Sequence, residues 1–405
     1  MNIEMLADDA RGTSHISSFF QFLVYASFFL PLGPVELSNQ YNLFLKLCQY
    51  TSMVFMIVHL LYLRKRISLM PKRELLAASV FFSLFILITM FVQGGFNEGL
   101  KNLFAWPLLC LYTAVGLKND PKPTLRCIVF LLTLVVSLDL LVSAFFFSDF
   151  YHLRFIGHVQ IVFQVAILNF ASTLLLVRLE GEAAPLRVYS LVVTLADCLI
   201  ADAASAKVAA LLFVLFLLIR QFSRRRSEKS GCIPAVDMRV ALIFVLIINV
   251  VVIYLSVSRS NFLGFEWGLN ARNFIWEKAL EFVSESPIVG YGAQGVLLEM
   301  FWGASGNYAH SQLVQELLDG GIVLAIAFYA MLLIFVSRTN KFKDTEIRSV
   351  VKYAFISYLI LMIIDSVNLY CYFYIFLPFL VMFDSVELKG AGRNVDARFA
   401  SEAKK

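Results

Sequence analysis

Apolar runs long enough to cross a membrane recur along this chain, and they leave few folds open to it. Residues 241–257, ALIFVLIINVVVIYLSV, carry no charge at all. About 20 such residues, wound as a helix, span the hydrocarbon core of a bilayer. In hydrocarbon every backbone N–H and C=O must bond within the protein, which leaves α-helices or a closed β-barrel. The alternating apolar and polar positions of barrel strands are absent. The sequence therefore predicts an all-α, polytopic integral membrane protein. Twelve apolar runs stand out, at 16–33, 42–62, 75–93, 102–117, 125–147, 160–177, 187–203, 206–222, 238–257, 312–336, 350–367 and 370–385. Composition agrees, since 60% of the 405 residues are hydrophobic and mean hydropathy is +0.77. A water-soluble chain of that character would expose too much apolar surface.

Charge then sets the orientation. Lys and Arg crowd onto one set of alternate loops: Arg11, RKRISLMPKR, 118–126, Arg178 and Arg187, 220–239, 338–352 and the C-terminal tail. The other set holds Lys101, Arg154, Lys207, Arg259, Arg272 and Lys278. By the positive-inside rule the crowded side is cytoplasmic, and both termini are expected there. The expected division is 1–257 with nine spans, 258–311 as one large outer loop, 312–385 with three spans, and 386–405 as a cytoplasmic tail. The net charge of +5 is thus topological. The bilayer is the expected partner, and nucleic acid is not.

The few cations on the outer side sit against that bias, which makes them candidates for a site. In the large loop, NARNFIWEKALEFVSESP predicts a short helix, with Asn270 as N-cap and Pro287 as stop. Arg272 and Trp276 are four apart and share a face. The helix is expected to lie at the outer interface with Trp276 at headgroup depth. GYGAQG then predicts a flexible turn. No phosphate-binding GxxxxGK[ST] loop is present, and no acidic or histidine cluster has metal-ligand spacing. The cysteines, at 48, 110, 127, 198, 232 and 371, are scattered and expected to be free thiols. No metal and no cofactor is expected. An enzyme built this way would have to neutralise anionic charge with Arg, Lys and backbone groups.

Each candidate has a plain reading beside the functional one. Arg272 would serve as a snorkelling anchor or as an anion ligand. Arg259, directly after the ninth span, is an end-of-helix anchor or a second ligand. Lys207 pairs with Asp202 or faces the substrate. His310 is a helix cap or a base, since an imidazole of ordinary pKa about 6.5 is neutral outside the cell. Arg154 and His158, in YHLRFIGHVQ, converge with the large loop or face solvent. Asp365 is placed to pair with one of these cations, and Asp139 reads as a helix–helix hydrogen-bonding group.

Taken together, LNARNFIWEKALEFVSESPIVGYGAQG and AHSQLVQELLDGGIVLAIAF resemble the signature region of the O-antigen polymerase and O-antigen ligase family. The shared pattern is Arg272, Trp276, Pro287–Gly290–Gly292, His310 and Gly321. The resemblance implies that Arg272 and His310 are catalytic, and that Arg259, Lys207, Arg154 and Trp276 contact substrate. Lys207, after Ser205–Ala206, stands where the family usually has Arg, and RFIGHVQ is similar to the family's R-x-x-G segment. The family implies inverting, metal-independent glycosyl transfer on the periplasmic face of a bacterial inner membrane. The donor would be an oligosaccharide on undecaprenyl diphosphate, with a flippase or chain-length regulator as further partners. A compact outer loop favours polymerase, with ligase as the alternative. A flippase or other transporter would instead place its charges near the bilayer midplane, in two related halves.

Overall fold

The structure is a computed structural model, and it describes residues 18–63, 71–94, 98–146, 153–181, 184–227, 237–258, 272–299 and 305–384. It is mostly helical. In chain order the helices are α1 (Ser18–Phe28), α2 (Gly33–Leu37), α3 (Asn39–Tyr62), α4 (Lys72–Gln93), α5 (Glu98–Asn119) and α6 (Pro121–Phe146). A two-stranded hairpin follows, β1 (Leu153–Arg154) with β2 (Gly157–His158), paired antiparallel. Next come α7 (Ile161–Glu180), α8 (Pro185–Ile200), α9 (Ala204–Ser227), α10 (Met238–Val257) and α11 (Arg272–Glu285). A second antiparallel hairpin joins β3 (Leu298–Glu299) to β4 (Ser305–Gly306). The chain then forms α12 (Gln312–Thr339), α13 (Thr345–Leu361), α14 (Cys371–Phe376) and α15 (Phe379–Met382).

Each predicted apolar run falls on a helix. Six of the described helices are long and apolar enough to cross a membrane: α3, α4, α6, α7, α10 and α12. Burial sorts them. α7 has no polar face, and 89% of its apolar window is buried, so it is the central post. Its polar side chains find partners inside the bundle: Asn169 Nδ2 donates to Ser190 Oγ (3.1 Å) and Thr194 Oγ1 (2.8 Å) on α8. Only 22% of the α10 window is buried, and Val240, Ile243, Phe244, Ile247, Val250, Val251 and Tyr254 are exposed. That exposed apolar face suits lipid and would be a liability in water.

The two sets of loops separate to opposite ends. At one end Arg178 donates to Asp344 (2.7 Å), Arg126 to Glu180 (2.5 Å), and Arg338 and Lys118 both meet Asp384. These are loops from the crowded, basic set. At the other end lie the β1–β2 hairpin, α11, the start of α12 and the turn after α13.

One run ends early. The apolar pattern predicts helix to 367, but α13 stops at Leu361. Beyond it the backbone turns against the polar flank of α12. Val367 N (2.7 Å) and Asn368 N (3.3 Å) donate to Gln312 Oε1, and Ser366 N donates to the Tyr308 hydroxyl (3.3 Å). Irregular backbone at this depth survives because protein side chains satisfy it.

Candidate active site

The site is built around a break in α12. Gly320 and Gly321 leave helical geometry, with Gly321 at φ +62° and ψ −162°. An unbroken helix would join Ile322 N to Leu318 O and Val323 N to Asp319 O. Here the Pro287–Gly292 turn takes all four groups instead. Tyr291 N donates to Leu318 O (2.8 Å) and Gly292 N to Asp319 O (2.8 Å). Ile322 N donates to Pro287 O (2.9 Å) and Val323 N to Ile288 O (3.4 Å). The glycines follow from this approach. A Cβ on Gly290 would stand 2.4 Å from Leu318 O, and one on Gly321 would stand 2.2 Å from the Ile288 carbonyl. The turn expected to be flexible is therefore a clamp. α4 tightens it, with Gln93 Nε2 donating to Tyr291 O (3.1 Å) and Ala293 O (3.0 Å).

The clamp makes a testable contrast. Gly181 also has a positive φ of +82°, but a Cβ there would meet nothing within 4 Å. Gly181→Ala should cost about 1 kcal/mol of conformational strain, whereas Gly321→Ala adds a backbone clash and should cost well above 3 kcal/mol. Thermal unfolding in detergent is the measurement. An unfolding temperature for Gly321→Ala no lower than that for Gly181→Ala would show that the clamp tolerates a side chain.

The clamp seats α11 on the start of α12. Ile275, Trp276 and Ala279 of α11 are buried with Leu298, Ala309, Val314 and Leu318 in a second core, apart from the main one. Trp276 is 0% exposed, and its Nε1 donates to Ala309 O (2.8 Å). Gln315 Oε1 accepts from Ala309 N (2.9 Å). Ala309 is thus held at both its amide and its carbonyl, and the next residue is His310. Its φ of +50° lies in the left-handed region, which few residues with a side chain adopt and which costs of order 1–3 kcal/mol.

His310 is not the helix cap. Ser311 occupies that position, and the His310 ring is engaged elsewhere. Its Nδ1 lies 2.9 Å from Gln160 Nε2, and its ring meets Tyr308 edge-on at 4.2 Å between centroids. Its pKa falls to about 3, first through burial, then through the positive charge of Arg272, then through His158. Arg272, at the first turn of α11, is half-buried. Its own pKa is lowered by burial, while the charge of the fully buried Asp365 works the other way. The structure thus brings Arg272, His310, His158 and Asp365 into one electrostatic group, with an imidazole kept neutral beside a guanidinium.

Residues 190–329 match the family model Wzy_C, described as O-Antigen ligase. The chain carries an O-antigen ligase family domain. Proteins of that family are glycosyltransferase-like enzymes that act on polysaccharide. The matched stretch holds the Arg272 helix, the clamp, His310 and the α12 break, so the family's region is the one whose geometry makes the site. No curated protein matches the chain.

Several expected contacts take other roles. Arg154 is 8% exposed and lies between two carboxylates. Its Nε donates to Asp139 Oδ2 (2.7 Å) and its Nη2 pairs with Asp197. Asp139 Oδ1 also accepts from Ile156 N (2.7 Å), so the triad fastens the β1–β2 hairpin to α6 and α8. The guanidinium is fully occupied, and we correct Arg154 from a substrate contact to a structural one. Trp276 is corrected likewise, because its ring faces the protein and not headgroups or sugar. Lys207 forms the plain pair with Asp202 (3.6 Å), both exposed, and among the described residues no hydrogen bond or ion pair ties it to Arg272 or His310. Arg259 and Asn270 lie outside the described residues. Gln160 was missed. It does not titrate, and the only signal was its place directly after the RFIGHV stretch.

Proposed function

We propose that this protein is an inverting membrane glycosyltransferase that extends oligosaccharide units carried on undecaprenyl diphosphate, at the periplasmic face of the inner membrane. Twelve spans and cytoplasmic termini complete the reading, with the 258–311 segment outside. The observation that supports it best is the neutral imidazole of His310 held beside the guanidinium of Arg272. A lipid diphosphate is an activated leaving group, so no nucleotide site is required. As the glycosidic bond breaks, charge grows on the bridging phosphate oxygen. A preorganised guanidinium stabilises that charge more than the ground state, through two parallel N–H donors. The acceptor hydroxyl gives its proton to His310 as its oxygen attacks the anomeric carbon. Arg259, just outside the described residues, and Lys207 are proposed to add positive charge near the sugar-diphosphate.

The printed family description favours a second reading, transfer of the finished chain to lipid A-core. One experiment separates the readings. The purified protein receives a lipid-diphosphate-linked repeat unit with no ion gradient and with excess EDTA. Longer lipid-linked chains are expected. Product only when lipid A-core is supplied would make the protein a ligase. Loss of product in EDTA, restored by Mg²⁺ or Mn²⁺, would overturn metal-independent transfer. No transfer with either acceptor, but movement of the lipid across the bilayer, would make it a transporter.

A further inference from the structure

We propose that Gln160 is the positioning residue that selects the tautomer of His310, keeping the proton on Nδ1 so that Nε2 can accept one. This rests on the reading of His310 as general base. The contact is the 2.9 Å approach of the Gln160 side-chain amide to His310 Nδ1. Either end of an amide fits such a contact. If the NH₂ faces the ring, Nδ1 is the acceptor and the ring proton sits on Nε2, which then has no lone pair to offer. If Oε1 faces the ring, Nδ1–H is the donor and Nε2 is free. Only the second arrangement makes a base of the nitrogen that Gln160 does not engage.

The surroundings suit a device that holds rather than charges the ring. Gln160 is the last residue before α7, the most enclosed helix. It follows the hairpin that the Arg154–Asp139–Asp197 triad fastens down. The buried triad, outside any contact with the ring, thus fixes the backbone from which the amide reaches. His310 is set from its own side by a left-handed backbone and the Trp276–Ala309 bond. The charged or titratable groups around the ring are Arg272 on α11, His158 on β2 and Tyr308, with Asp365 acting on Arg272. A carboxylate in place of the amide would stabilise the imidazolium and spoil the base at rest. A neutral amide orients the ring and leaves it unprotonated. In the transfer step the hydroxyl oxygen bonds to the anomeric carbon and its proton passes to Nε2. The carbon–oxygen bond to the diphosphate breaks, and the electron pair leaves on the phosphate oxygen beside Arg272. The imidazolium keeps its Nδ1–H on Gln160 Oε1 and afterwards returns the gained proton to water.

The test is a double-mutant cycle with a pH profile, using the full-length protein and a labelled lipid-linked donor. Gln160→Leu should lower kcat by about 10–10²-fold, with donor KM changed by less than about threefold. In a His310→Gln background the same substitution should cost nothing further, because Gln160 acts through the imidazole. Gln160→Glu should give kcat/KM a new acid limb between pH 5 and 8, where the wild type is flat. Additive losses in the cycle, or a flat Gln160→Glu profile, would overturn the proposal. A slow His310→Gln enzyme beside a Gln160→Leu enzyme of wild-type rate would sink this inference alone. A His310→Gln enzyme near the wild-type rate would sink the general-base reading and this one with it.

Discussion

His310→Gln is expected to slow single-turnover transfer by about 10²–10⁴-fold, the usual worth of a general base, while donor binding survives. Glutamine has similar reach and can still meet Gln160, so packing should change little. What it lacks is a nitrogen that takes a proton at neutral pH. The pH dependence follows from the direction of the shift. Burial and the Arg272 charge bring the His310 pKa down to about 3 in the free protein. The base form is therefore complete above about pH 5, and kcat/KM should show no limb from this group between pH 5 and 8. A bound diphosphate offsets the Arg272 charge and raises the imidazole pKa, so the acid limb of kcat should lie at higher pH than that of kcat/KM. Both limbs should vanish in His310→Gln. A variant within a few-fold of wild type, with the same profile, would make His310 a structural residue.

Arg272→Lys should be almost as damaging as Arg272→Ala, each costing about 10²–10³-fold in kcat. Lysine keeps the charge but loses the planar fork that meets two phosphate oxygens at once. Its ammonium is also harder to strip of water, and this position is half-buried. The alanine variant removes one of the causes that depress the His310 pKa, although burial, the larger cause, remains. Its kcat/KM acid limb should accordingly move upward in pH but stay below the ordinary histidine value. Steady-state kinetics on matched amounts of purified protein decide the question. Near-normal polymer from the lysine variant would reduce Arg272 to a membrane anchor.

The helices were legible because bilayer-length apolar runs are a one-dimensional signal. The early stop of α13 was not, because residues 362–367 are mostly apolar and the groups that hold them open, Gln312 and Tyr308, are more than 50 residues away. Arg272 and His310 were legible through the spacing of a motif. Arg154 and Trp276 were misread for a shared reason. A cation or an aromatic on the sparse side of a membrane looks available until its partners are known. The partners of Arg154 are Asp139 and Asp197, and that of Trp276 is the Ala309 carbonyl. GYGAQG looked loose because glycines permit many shapes. The shape chosen depends on a helix break some thirty positions on, which no local pattern reveals.

The Arg154 triad also bears on how the chain is made. Translation delivers Asp139 first, Arg154 next and Asp197 last. A lone aspartate costs up to about 3 kcal/mol on insertion scales when it sits at the centre of a span. Asp139 meets its guanidinium within the same hairpin, fifteen residues later, before α7 has been synthesised. Asp197 then enters with a counter-charge already waiting. Had the arginine come after both carboxylates, the translocon would have had to shelter two unpaired acids across three spans. The order of charges along the ribbon thus suits stepwise insertion, and moving the arginine to the end of α8 would disturb biogenesis even if the finished triad were identical.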